Sequence, residues 1–188
     1  MPKIIAKSLD EHRLEVRARL FEALAQLLRE IPLEAITIAQ LAAVSGVGRT
    51  AIYNHFSDKD AIVVDFATSE TDRFLASLAD AIDDEQEPEQ RLRTYIRHYI
   101  ASREQYHLDL GHQLIGSLSP AALAEMRAHV VAAQQALGSI IDAGIASNDF
   151  VHMNSVSAVV LVHTCLQAPR VADADLEEFI LGAVLARV

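Results

Sequence analysis

Apolar side chains recur every three or four residues along almost the whole chain, and no stretch alternates convincingly as a half-buried strand does. Val16, Leu20, Leu24, Leu27 and Leu28 form one such stripe, on a helix expected to open near Ser8, where Ser8-x-x-Glu11 reads as a capping box. Pro32 ends it, because a residue before proline avoids the helical region. Thr37-x-x-Gln40 is a second capping box and opens a short helix through Val44. A tight turn follows at Ser45-Gly46-Val47-Gly48, then a third short helix from Arg49 to His55. Ser57-x-x-Asp60 is expected to cap a long helix running to about Ile82. A polar break at residues 83–88 separates it from helical pattern over Glu89–Tyr106, which continues less regularly to Ile115. Ser119-Pro120, a good N-cap followed by proline at the first helical position, starts the next helix. Two more helices are expected near residues 154–167 and 173–187. The fold class is therefore all-α: a three-helix N-terminal domain over 1–58 and a larger helical domain over 59–188, about nine helices together.

Composition agrees with helices: of 188 residues 51% are hydrophobic, and there is no Trp. Cys165 is the sole cysteine, which excludes an intramolecular disulfide. No apolar run is long enough to span a bilayer, and the first residues turn charged before a signal-peptide core forms, so a cytoplasmic protein is expected. The net charge of −10 argues against nucleic acid until its distribution is read. Residues 1–60 hold 8 basic and 8 acidic side chains, so the whole excess of acid lies beyond them. The N-terminal third is thus able to approach phosphates, while the rest is repelled by them.

Residues 37–62 carry the most information. Ile38, Leu41, Ala42, Val47, Ile52 and Phe56 are spaced to close a small core with the first helix, and Gly46 sits in the turn between two short helices. Between those anchors stand Arg49, Thr50, Tyr53, Asn54, His55 and Lys59, a donor-rich front on an apolar back. That is what a recognition helix requires to enter the ~12 Å major groove. Thr37, Ile38-Ala39, Ala42-x-x-x-Gly46-Val47, Tyr53-x-His55-Phe56 and Lys59 together resemble the tetracycline-repressor (TetR) family of transcriptional regulators, over roughly residues 10–65. The chain departs from that family at Ile31-Pro32, where glycine is usual, and at Gly48, where a hydroxyl cap is common.

The resemblance implies DNA contacts from Thr37, Gly48, Arg49, Thr50, Tyr53, Asn54, His55 and Lys59. Thr37, Tyr53, His55 and Lys59 would take phosphates, and Arg49 and Thr50 would read bases. It also implies a homodimer on a palindromic operator, with the last two helices of each copy forming a four-helix bundle. Two apolar stripes suit that interface: Val156, Val159, Val160 and His163, then Leu176, Phe179, Ile180, Ala183 and Val184. Phe66, Phe74, Tyr95, Tyr99, Tyr106, Leu110, His112, Leu114, Met126, His129 and Val130 are candidates to line a pocket for a small apolar or amphipathic organic ligand. Neither a cofactor nor a metal is expected. Six of the eight histidines lie beyond residue 97, which keeps a metal- or haem-sensing regulator open, but none are spaced i, i+4 there. An effector-independent or chromosome-organising DNA-binding protein is the other alternative. No nucleophile elbow, phosphate loop, dinucleotide fingerprint or metalloprotease motif occurs, so an enzyme is not expected.

Overall fold

The first helix begins earlier than its Ser8 box suggests. In the computed structural model, which describes residues 2–82, 87–103, 117–168 and 171–186, α1 runs over Pro2–Glu30. Proline at the first helical position costs no hydrogen bond, and nothing between Pro2 and Ser8 breaks a helix, so the box lies inside the element. After Pro32 a single 3-10 turn, Leu33–Ala35, buries Leu33. There follow α2 (Ile38–Ser45), α3 (Arg49–His55), α4 (Lys59–Ile82), α5 (Pro88–Ser102), α6 (Pro120–Ser147), α7 (Ser155–Leu166) and α8 (Asp173–Val184). Among the described residues the only β pairing is an isolated antiparallel bridge, Phe150 to Leu185.

The helix ends show which local signals acted. The Thr37–Gln40 box forms in full: Thr37 Oγ1 accepts from the Gln40 N–H at 3.2 Å, and Gln40 Oε1 accepts from the Thr37 N–H at 2.9 Å. At α4 the cap is Asp58, not Ser57: Asp58 Oδ1 accepts from the Ala61 N–H at 2.8 Å, while the Ser57 hydroxyl donates to Asp58. A carboxylate both caps and complements the dipole, so it outcompetes the neighbouring hydroxyl. Asn154 caps α7 by accepting from the Ser157 N–H at 2.9 Å.

The chain divides into two compact units, the first reaching Thr68 and taking in a stretch that ends at Met126, the second holding the remainder. The first unit's core joins Val16, Leu20, Leu24 and Leu27 of α1 to Leu41, Ile52, Ile62 and Phe66, with Leu118, Ala122 and Met126. The second core joins Phe74, Leu92, Tyr95, Ile96, Leu137, Ile140 and Ile141 to Val159, Val162, Leu176, Ile180 and Val184. Helices α4 and α6 each supply side chains to both cores.

Candidate nucleic-acid interface

The geometry of the α2–α3 pair follows from its turn. Gly46 closes α2 with φ +65° and ψ 18°, a left-handed residue that a side chain adopts at a cost. The orphan carbonyls at that helix end are met from two sides. Ser45 Oγ donates to the Leu41 carbonyl at 2.6 Å and accepts from the Val47 N–H at 3.2 Å. Arg19 of α1 donates to the Ser45 carbonyl through both Nε and Nη2, at 3.0 and 2.7 Å. A guanidinium at a helix C-terminus also faces the negative end of the dipole.

Beyond the turn, α3 buries Ile52 completely and half-buries Ala51 and Phe56 against the core. Gly48, Arg49, Thr50, Tyr53 and Asn54 are exposed, with Tyr53 56% accessible although aromatic. His55 is half-buried, and Thr37 is exposed at the start of α2. Arg49, Thr50, Tyr53 and Asn54 therefore stand clear of the face of α3 that packs inward, and His55 less so. Lys59 is placed differently from the others. It is half-buried, and its Nζ donates to the Leu33 carbonyl at 3.0 Å, so its head group is tied to the 3-10 turn. On α1, Arg17 pairs with Asp65 and lies over the Phe21 ring at 5.2 Å, which turns that basic side chain inward as well.

The pocket candidates fall into different places. Phe66 and Met126 pack into the first unit's core, Phe66 edge-on to Phe21 with centroids 5.5 Å apart. Phe74, Tyr95 and Tyr99 meet in the second core, with Phe74 edge-on to both tyrosines at 6.3 and 5.9 Å. Tyr106, Leu110, His112 and Leu114 lie outside the described residues, as do the side chains of His129 and Val130. His163 of α7 joins the aromatic cluster: its Nε2 is 2.8 Å from Tyr95 Oη, and its ring lies 6.2 Å from that of Tyr99. Burial pushes the His163 imidazole below its ordinary value; burial, with Tyr99 beside it, pushes the Tyr95 phenol up. A neutral imidazole thus shares a hydrogen bond with a protonated phenol. Burial lowers His98 too, whose ring lies tilted 5.4 Å from that of Phe74. Among the described residues no group of three or more His, Cys, Asp or Glu side chains is arranged to hold a metal ion.

The two stripes near the C-terminus divide. Val159, Leu176, Ile180 and Val184 are buried in the second unit's own core, and His163 is turned to Tyr95. Val156, Val160, Phe179 and Ala183 are exposed, and Leu161 and Gly182, which periodicity had not singled out, lie exposed with them. Phe179, 65% accessible, sits in a shallow surface groove with Asp175, Glu178, Gly182 and Ala183. Behind it, Glu177 holds α8 to α5 by accepting from Arg93 and Arg97, both at 2.9 Å. Those two arginines, Arg97 foremost, keep its carboxyl below the ordinary value.

A capped short helix, a glycine turn and an amphipathic second helix with an exposed donor row have the geometry of a helix-turn-helix, the layout that places a second helix in a DNA major groove. Residues 20–65 match the family described as bacterial regulatory proteins of the tetR family. The match takes in α2, α3 and the candidate contact residues from Thr37 to Lys59.

Solved structures share the fold of the whole chain at low identity. PfmR, a TetR-family transcriptional regulator from Thermus thermophilus, is 22% identical, with 88% of this chain and 97% of PfmR covered and a TM-score of 0.69. AibR, solved with isovaleryl coenzyme A and operator DNA, is 16% identical over 91% of this chain and 98% of its own, TM-score 0.74. The superantigen PfiT is 18% identical over 90% and 96%, also with a TM-score of 0.74. No curated protein matches the sequence. Among the described residues no helix is long and apolar enough to cross a membrane.

Proposed function

We propose that this chain is a one-component transcriptional repressor that binds palindromic operator DNA as a homodimer and releases it on binding a small apolar or amphipathic organic molecule. The observation that carries the reading is the face of α3: Arg49, Thr50, Tyr53 and Asn54 exposed in a row above a completely buried Ile52, inside the segment that matches the tetR family. Residues 1–58 supply the reader, with Arg49 and Thr50 on base edges and Thr37, Tyr53 and His55 on phosphates. Residues 59–188 dimerise and sense.

A second copy is the natural occupant of the exposed apolar patch on α7 and α8, since Val156, Val160, Leu161 and Phe179 are large side chains left accessible together. Two readers on one two-fold axis would then meet half-sites ~34–36 Å apart. The complex of AibR with both an acyl-coenzyme A and operator DNA supports an organic effector for this fold. Helices α4 and α6, which contribute to both cores, are the elements through which an effector would act, shifting a binding-competent population. A coupling of ~1–3 kcal/mol weakens operator binding about 5–150-fold.

The test is binding to a fragment of the intergenic DNA upstream of the protein's own coding sequence, across a salt series, for wild type and Tyr53→Ala. Saturable, salt-sensitive binding at a palindromic site, lost in the variant, is the expected result. Binding that is equally tight on unrelated DNA and indifferent to Tyr53→Ala counts against the repressor reading.

A further inference from the structure

Helix α3 has little packing of its own. It has seven residues, of which only Ile52 is fully buried, and Gly48 before it forms no side-chain cap. Its direction is therefore set by the turn from which it springs, residues 45–48. Val47 anchors that turn in the first core, and its N–H donates to Ser45 Oγ at 3.2 Å. Among the described residues, the only side chain of another helix that hydrogen-bonds to the turn is Arg19 of α1, which donates to the Ser45 carbonyl through Nε at 3.0 Å and Nη2 at 2.7 Å.

Ser45 is the last residue of α2, so these bonds fix that helix end, and with it the starting point of α3, against α1. Two N–H groups of one planar guanidinium on a single oxygen set direction as well as distance. Arg17, two positions earlier, is paired with Asp65 instead, whereas Arg19 is exposed and directs its fork at a neutral carbonyl. A helix of seven residues is ~10 Å long, so a swing of ~6° about its start moves its far end by ~1 Å. Hydrogen-bond distances span only ~0.5 Å, so such a swing spoils the reading of base edges. Charge on charge falls off slowly with distance, so attraction to phosphates survives it.

We propose that Arg19 is a positioning residue for sequence recognition: its fork on the Ser45 carbonyl fixes the angle at which α3 enters the groove, and it touches no DNA itself. This inference rests on the DNA-binding reading above and adds to it the α1 side chain that sets specificity. The competing role for an exposed cation on this unit is a phosphate contact. Lysine separates the two, because it serves a phosphate as a point charge but cannot reproduce the fork.

A duplex of about 30 base pairs, roughly three helical turns, is first selected by the wild type from a random pool. The selected duplex and a random-sequence one are then titrated across a salt series with wild type, Arg19→Met and Arg19→Lys. Arg19→Met should weaken binding to the selected duplex ~5–20-fold, the loss of about one base contact. Binding to the random duplex should stay within ~2-fold, with the salt slope unchanged. Arg19→Lys should recover only part of the loss. Deuterium exchange at the Val47 amide, measured without DNA, should quicken in Arg19→Met as the turn loosens. Equal losses on both duplexes, with the salt slope lower by about one and full recovery in Arg19→Lys, would make Arg19 a phosphate contact and overturn the inference. Unchanged exchange at Val47, or unchanged discrimination between the duplexes, overturns it as well. So does a wild type that binds every duplex alike, since there is then no specificity to position. A wild type that binds no duplex at low salt overturns the DNA-binding reading itself.

Discussion

Arg19 and Ser45 lie 26 positions apart, yet the guanidinium grips the Ser45 carbonyl with two nitrogens at 3.0 and 2.7 Å, next to the left-handed Gly46. A Cβ on Gly46 would stand 2.7 Å from Arg19 Nη2. The arginine tip is flexible and can withdraw, so the lasting cost of Gly46→Ala is its positive φ, about 1–2 kcal/mol. Gly46→Asn should cost less, because Asn tolerates that region better. Chemical denaturation of wild type and both variants checks the ordering. Adding Arg19→Ala to Gly46→Ala should restore none of the φ cost.

Arg49 opens α3 and is exposed, which suits a base-reading role rather than packing. Arg49→Ala should cost ~1–3 kcal/mol at one base position and relax the preference there. Once the site is footprinted, binding to a panel of single-base operator variants gives the answer. An equal loss on every sequence would make Arg49 a phosphate contact instead.

The ends of helices were legible where the chemistry is local. Thr37 and Gln40 reach each other within one turn, so their box could be read from spacing, whereas Ser57 and Asp58 are adjacent good caps and only geometry separates them. The recognition face was legible for a similar reason: Ile52 and its polar neighbours alternate at helical period within seven residues. The fate of the C-terminal stripes was not. Periodicity marks an apolar face without saying what covers it, and Val159 is 6% exposed while the adjacent Val160 is 50% exposed. Long-range polar bonds such as Arg19 to Ser45 or Lys59 to Leu33 leave no trace in spacing at all.

Phe150 covers Gly144 closely. Its N–H donates to the Gly144 carbonyl at 3.0 Å, and a Cβ on that glycine would stand 2.3–2.5 Å from three of the ring carbons. The ring is 2% exposed and has nowhere to retreat, so Gly144→Ala should destabilise by ~1–3 kcal/mol through overpacking. Gly138, in the same helix, meets Val159 at an ordinary 3.8 Å, and Gly138→Ala should be neutral or stabilising by up to about 1 kcal/mol. Thermal melts check this: Gly144→Ala should lower the melting temperature and Gly138→Ala should not.

Phe179 is largely exposed and anchors the proposed dimer face, so its replacement tests assembly without disturbing the core of either unit. Phe179→Asp should leave the helical signal and cooperative unfolding intact while halving the mass seen by light scattering. The added charge faces Asp175 and Glu178 in the same groove and would be doubled across a two-fold axis. Operator affinity should fall in parallel, because a monomer offers one reader. An unchanged mass would place the interface elsewhere.

His163 links the aromatic cluster to pH. Burial holds its imidazole neutral in the fold, where Nε2 lies 2.8 Å from the Tyr95 hydroxyl oxygen. The unfolded chain protonates that imidazole near the ordinary histidine value, about pH 6.5. Below that pH the unfolded state binds a proton that the folded state resists, so the contribution is fully present above about pH 6.5 and is lost as the pH falls toward the folded value. His98, lowered by burial as well, acts with the same sign. Glu177, held down chiefly by Arg97, stays ionised through this window and loses its contribution only below the ordinary carboxylate value of about 4.3. The melting temperature should therefore decline between about pH 7 and pH 5, before the carboxylates titrate. His163→Gln keeps a hydrogen-bonding group for Tyr95 but cannot take the proton, so it should lower stability at neutral pH and flatten that decline, leaving the part due to His98. A decline of undiminished slope in His163→Gln would show that His163 is not the buried base.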